Sequence, residues 1–240
     1  MVYLILVKKL LKIFILPLKG VEIYKMSKFK LVLFDMDGTL LKGRGIFVIA
    51  EKKNFKDELI RLITYKGVDF YKRSIDIAKL SKGLNKNELL EIFRTIPLQE
   101  NIKIVIEELK KKHIKTAIAT DSYKFLADDL KDRLGIDYVF ANNLIINDDI
   151  ITGELEIHNK QLTKDFYSGK IYSICKSCVL EQLCDKLGIN IGESIAVGDG
   201  KVDIGMIKRA GLGIAFNASE EVQKNADVVA NDLKVILEYI

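Results

Sequence analysis

Leu31 to Phe34 is a short unbroken apolar run that ends directly on Asp35-Met36-Asp37-Gly38-Thr39. A run of this length with such an ending predicts a strand buried on both faces of a parallel sheet. In open α/β sheets ligand chemistry collects at the carboxyl ends of strands, and Asp35 falls at one. Two carboxylates two positions apart repel each other unless a cation or a shared proton relieves them. Gly38 lets backbone amides approach an anion closely. Taken alone, the same pattern also occurs in calcium loops and ordinary turns.

Other stretches narrow the reading. Ser194 to Val197 is a second short apolar run, leading into Gly198-Asp199-Gly200 with Asp203 one turn further on. A third predicted strand, Lys115 to Ala119, ends in Thr120, whose hydroxyl can grip a phosphate oxygen. Lys176 opens a later helix and supplies a fixed positive charge. Strands that end in Asp twice in one α/β chain offer the oxygen donors Mg²⁺ takes, usually one or two carboxylates with water and substrate phosphate.

The 240 residues suffice for one large or two small domains, and 49% hydrophobic with 30% charged residues is ordinary globular composition. The net charge of +5 sits in one place: residues 1–30 hold seven of the 38 basic side chains and one of the 33 acidic ones. The remainder is close to neutral and shows no basic stripe with interleaved aromatics, so nucleic acid is not an expected partner. Lys8, Lys9 and Lys12 interrupt the apolar N-terminal piece, which is too short and too charged to span a bilayer. It has no small-residue cleavage site. Translation is expected to begin at Met26, leaving residues 1–25 outside the protein. The alternative is an interfacial helix. The expected location is the cytoplasm, and the sequence is silent on oligomeric state.

From Leu41 to about Gln99, apolar residues recur at three- and four-residue spacing over Ala50 to Tyr65, Asp69 to Lys82 and Asn87 to Thr95, predicting a small helical bundle. Helices and strands then alternate: helix over Asn101 to Lys112 and Ser122 to Leu134, strand over Tyr138 to Ala141, later strands at Ile214 to Phe216 and Val228 to Ala230, and a closing helix from Leu233. Leu144 to Ile157 reads as a β-hairpin outside the main sheet. His158 to Tyr172 is polar and irregular. The expected architecture is α/β: a Rossmann-like parallel sheet with helices on both faces, plus the helical insert and the hairpin. Residues 26–41 and 100–240 form the expected core domain, with 42–99 as the inserted one.

On these residues the chain resembles the haloacid dehalogenase superfamily: Asp35 to Thr39 looks like its first motif, Thr120 its second, Lys176 its third and Gly198 to Asp203 its fourth. The stretches FANNLIINDDIITGELE and DIGMIKRAGLGIAFNA are similar to the phosphoserine phosphatase branch. The resemblance implies a Mg²⁺-dependent phosphatase acting on a small phosphorylated metabolite, with the insert as a cap over the site. It implies Asp35 as nucleophile, passing through an aspartyl-phosphate, and Asp37 as acid and then base. It assigns the metal to the Asp35 side chain, the Asp37 backbone carbonyl and the Asp199 side chain. Asp203 would orient that shell from one layer out, and Thr120 and Lys176 would hold the phosphate. Lys176 also reads as a surface lysine, Thr120 as a mere strand end and Asp203 as a helix cap; joint order and placement favour the functional readings.

Three departures from that branch concern substrate reading. The family has a glutamate shortly after the first motif, where this chain has Arg44. The family's cap arginine matches Ile75, with Arg73 nearby. Its two glycines after the second motif are replaced by Asp121 and Ser122. Arg44 and Asp121 are therefore the candidate substrate-selecting residues, and the expected substrate is something other than phosphoserine, with phosphoserine as the alternative. A phosphotransferase, a non-catalytic phosphometabolite-binding module, a dehalogenase and a membrane-associated lipid-phosphate phosphatase complete the field. Cys175, Cys178 and Cys184 cluster around Lys176. One Cys-x-x-Cys without a second pair, and with only His113 and His158 as imidazole ligands, is weak for zinc, so incidental or structural thiols are expected.

Overall fold

The computed structural model describes residues 27–240 apart from Lys66 and Val68, so every reading of residues 1–25 lies outside the described residues. Strand β1 (Leu31–Phe34) lies at the centre of a seven-stranded sheet. The strands β2 (Lys115–Tyr123), β3 (Tyr138–Asn147) and β4 (Ile150–Glu156) extend it on one side. Strands β5 (Ser194–Gly198), β6 (Leu212–Phe216) and β7 (Val228–Ala230) extend it on the other, in the order β4-β3-β2-β1-β5-β6-β7. All pairings are parallel except β3 with β4. The chain moves outward from β1 first to one side and then to the other, so a crevice opens at the carboxyl end of β1.

Side chains on a strand point alternately to opposite faces, and β1 divides its four apolar residues accordingly. Val32 and Phe34 enter one core with helices α5 (Ile102–Lys111) and α6 (Lys124–Leu134), while Leu31 and Leu33 enter a second with α7 (Lys176–Leu187) and Met206 of α8 (Ile204–Arg209). All four are completely buried, which is why the run carries no polar residue. Gly135 and Gly188 stop α6 and α7 in the left-handed conformation, with φ of 70° and 64°.

The helical insert holds α1 (Gly45–Lys52), α2 (Lys56–Thr64), α3 (Phe70–Lys79) and α4 (Lys86–Arg94). The helix expected over Ala50 to Tyr65 is in fact two, because Asn54 takes a positive φ of 61° between them. The Asn85 carboxamide caps α4 through the amides of Asn87 and Glu88. The insert joins the core through paired linkers: Lys42 N–H donates to Pro97 O at 2.8 Å and Gln99 N–H to Leu40 O at 2.9 Å.

The expected hairpin exists, but as an outgrowth of the sheet. β3 pairs with β2 as far as Asn142 and then runs on without a break to pair with β4. The separate strand over Tyr138 to Ala141 and the hairpin beginning at Leu144 are thus parts of one long strand. Its far end holds the insert, with Gly83 N–H donating to Ile151 O and Lys86 N–H to Asp149 O, both at 2.8 Å. The closing segment Leu233–Glu238 winds as a 3₁₀-helix. The last α-helix, α9 (Glu220–Gln223), is a single turn.

Candidate active site

Four strand or helix ends converge at the crevice. β1 delivers Asp35, β5 delivers Asp199, the turn Lys201–Asp203 delivers Asp203, and the first residue of α7 delivers Lys176. Asp35 is 5% exposed, Lys176 3% and Asp203 0%. The Lys176 ammonium bridges two carboxylates, donating to Asp35 Oδ1 and, at 2.6 Å, to Asp203 Oδ1. Burial works against the charge on Lys176, but Asp203 and Asp35 outweigh it and hold the ammonium above the usual lysine range. Burial raises the Asp35 carboxyl well above its ordinary value against the pull of Lys176, and Asp203 and Asp199 add to the rise. Asp199 is raised too, by burial first and then by Asp203.

Carboxylate oxygens of Asp35, Asp199 and Asp203 lie within 4.8 Å of one another. Three carboxylates share one ammonium there, so the cluster lacks positive charge and offers hard oxygen donors of the kind Mg²⁺ prefers. Asp203 belongs to this group directly and bonds Lys176, whereas the sequence reading set it one layer out. The Asp37 carboxylate does not join the cluster: its Oδ1 accepts the Gly45 N–H at 2.7 Å, at the start of α1. Burial pushes the Asp37 carboxyl up to about 7 despite that bond.

Gly38 has a φ of +93°, and a Cβ there would lie 2.5 Å from Asp199 Oδ2, so only glycine fits the turn after β1. Thr120 is fully buried where the β2–β3 register shifts, and its Oγ1 accepts the Ser122 N–H at 3.2 Å. The irregularity lifts Thr120 out of regular pairing at the strand end. The Gln99 carboxamide donates to Gly38 O at 3.0 Å, tying the linker to the loop that carries Asp37. No sequence spacing pointed to Gln99.

Above Lys176 lies a cavity of about 300 Å³ whose lining includes Arg44, Phe70, Arg73, Ile77, Asp121 and Tyr172. Arg44 and Asp121 thus face one space as expected, both on exposed side chains. From α3, Arg73, Ser74 and Ile77 line the wall, while Ile75, the residue matching the family's cap arginine, is not among the lining residues. Arg73 Nη2 donates to Tyr65 O at 2.9 Å and its guanidinium covers the Phe70 ring at 5.1 Å, but its buried Nε has no partner. The irregular stretch before α7 supplies the opposite wall, with the Phe70 and Tyr172 rings 5.0 Å apart and the Ser74 and Ser173 hydroxyls 3.0 Å apart. Polarity and lack of period marked that stretch as a loop and gave no sign of this role.

The cysteine reading needs correction. Cys175 and Cys178 are joined by a disulfide, and Cys184 is free and buried.

Comparison with known proteins agrees with this geometry. The model of the haloacid dehalogenase-like hydrolases matches residues 32–208. A phosphoserine phosphatase of Methanocaldococcus jannaschii is 33% identical over 220 residues, covering 89% of this chain and 99% of that protein. A phosphoserine phosphatase of Archaeoglobus fulgidus is 35% identical over 201 residues, 82% of this chain but 55% of the relative's length. Among solved structures, a phospho-aspartyl intermediate analogue of phosphoserine phosphatase superposes with a TM-score of 0.74 at 31% identity, covering 88% of this chain and 99% of the other. With the family model covering most of the sheet and every motif position, the chain belongs to the haloacid dehalogenase-like hydrolases and is a hydrolase of phosphoric monoesters.

Proposed function

We propose that this chain hydrolyses O-phosphoserine through an aspartyl-phosphate on Asp35, with Mg²⁺ at the Asp35–Asp199–Asp203 cluster. The observation that carries the chemistry is the buried bridge of Lys176 between Asp35 and Asp203, beside a carboxyl group, Asp37, that burial raises to about 7. Support for the substrate comes from the relatives named phosphoserine phosphatase, which give it more weight than the sequence-based expectation of another compound.

In this reading Asp35 attacks the phosphorus atom in line with the leaving alkoxide. Lys176 and Thr120 hold the phosphoryl oxygens. The ammonium that now faces two carboxylates has donors to spare for a third anion. Asp37 gives its proton to the alkoxide and then takes one from the water that opens the aspartyl-phosphate. A carboxyl with a pKa about 7 suits both halves of that exchange. The Asp35 and Asp199 side chains with the Asp37 carbonyl would hold the metal, with Asp203 beside them. Bound there, Mg²⁺ supplies positive charge to phosphoryl oxygens and lowers the repulsion between Asp35 and its substrate. The helical insert acts as a cap: Gly45 seats Asp37 at the start of α1, so cap position and acid position are coupled.

A second reading rests on Arg44. Its exposed guanidinium lines the cavity with no ion-pair partner among the described residues, which favours a phosphomonoester carrying a second anionic group in place of an ammonium. Phosphate release across phosphorylated metabolites separates the two. Highest kcat/KM for phosphoserine sustains the first, and preference for acidic esters without an amine sustains the second. Release from none, with Mg²⁺ present, removes both.

A further inference from the structure

Cys175 and Cys178 stand on either side of Lys176 and Ser177, and the fold turns that spacing into a bonded pair. Cys175 is the N-cap of α7 and Cys178 lies in its first turn, with Cα atoms 5.2 Å apart. The cross-link therefore closes the one helical turn whose first residue reaches Asp35 and Asp203. The same turn is anchored from outside, because Ser177 Oγ donates to the buried Asp165 carboxylate at 3.2 Å. A second cavity, of about 170 Å³, reaches both cysteines and is lined also by His158, Lys160 and Gln182. It shares no residue with the substrate cavity, so a small thiol can reach the pair without entering the active site.

We propose that Cys175–Cys178 is a redox-modification site that sets how firmly Lys176 is presented to a phosphoryl group, the disulfide form binding it more tightly than the dithiol. The proposal rests on Lys176 as a phosphate-holding residue. With the bond intact, both ends of the turn are fixed. Cys175 Sγ accepts the Cys178 N–H at 3.4 Å, a sulfur cap outside the Ser, Thr, Asp and Asn set that caps well, so without the covalent bond only that weak cap holds the first turn, which frays more readily. Lys176 then samples positions away from Asp35. In the reductive step, a thiolate of a small dithiol attacks the half-buried Cys178 sulfur, breaks its bond to Cys175 and releases Cys175 as thiolate, which takes up a proton. The second thiol of the reagent then attacks the mixed disulfide. Cys178 leaves as thiolate and is protonated, and the reagent departs as its own disulfide with two electrons transferred to the protein. A small-molecule disulfide such as oxidised glutathione runs the exchange backwards.

The test uses the full chain with Mg²⁺ and inorganic phosphate as probe, after equilibration with oxidised glutathione or with dithiothreitol. Alkylation followed by mass spectrometry is expected to find one free thiol in the oxidised chain and three in the reduced one. Calorimetry is expected to show phosphate binding weakened about fivefold on reduction, a coupling of ordinary size, and restored on reoxidation. Cys178→Ser should give the weaker value under both conditions, while Cys184→Ser should switch as the parent does. Three alkylatable thiols after oxidised glutathione, or equal phosphate affinity in both states, overturns the redox assignment alone. Phosphate binding in neither state overturns it through its premise, by removing Lys176 as a phosphate ligand.

Discussion

The floor of the cavity and its cap-side wall hold their charges in different ways. On the floor, Asp35 and Asp203 are buried and both bonded to the buried Lys176, and Asp199 leaves no room for a side chain at Gly38. On the wall, Arg44 has no ion-pair partner among the described residues and Arg73 leaves its Nε unbonded. Buried charges must be matched because water cannot reach them, so the floor pairs its own, whereas the exposed Arg44 guanidinium and the buried Arg73 Nε leave bonds open for a ligand. In the function proposed here the floor carries the reaction and the wall carries recognition, and a change on either side is expected to leave the other function standing.

Replacing Asp35, the proposed nucleophile, is the most severe way to break that division. Asp35→Asn should lower kcat by more than about 10⁴-fold while KM stays within a few-fold, measured by phosphate release. Removing the ammonium comes next: Lys176→Met leaves three crowded carboxylates, and urea unfolding of the metal-free protein should show a loss of about 3–5 kcal/mol. Gly38→Ala forces a side chain into the left-handed region against the Asp199 carboxylate, for a loss of about 1–3 kcal/mol by the same measurement. On the wall, Arg44→Glu should change KM about tenfold at nearly constant kcat. An equal fall in kcat would place Arg44 in the floor and erase the distinction.

The smallest effect concerns protons. In the metal-free protein the Asp37 carboxyl, ordinarily at 3.8, titrates at about 7, so the folded chain keeps a proton that the unfolded chain has already lost. Its contribution to stability is full below the lower value, declines as pH rises between the two, and is absent above the upper one. Asp37→Asn should flatten part of that decline in urea titrations run from acid to mildly alkaline pH, and an unchanged slope would assign it all to Asp35 and Asp199.

Much of the floor was legible in the sequence because each of its residues sits at a strand end or helix start. An unbroken four-residue apolar run such as Leu31 to Phe34 suits a doubly covered strand, and the residue after such a strand emerges at its carboxyl end. That logic gave Asp35, Thr120 and Asp199, and the chain order of the motifs gave Lys176 and Asp203. The wall was harder to read, because its residues come from α3, the linker and an irregular loop that meet only after folding. Arg73 and Ile77 line the cavity and Ile75 between them does not, since helix phase, not distance along the chain, decides which side chain faces it. Gln99, Tyr172 and Ser173 carried no periodic signal at all.

The sequence by itself pointed to the sheet and its strand ends, because burial on two faces is a local constraint, and the resemblance of its motifs to the haloacid dehalogenase superfamily pointed to the class of chemistry. Only the tertiary structure decided that Asp203 bonds Lys176 directly, that Asp37 is seated by the amide of Gly45, and that Cys175 and Cys178 close the turn between them. Each of these depends on distances between segments whose separation along the chain says nothing about their separation in space, or on the local path of a single turn, and packing alone sets both.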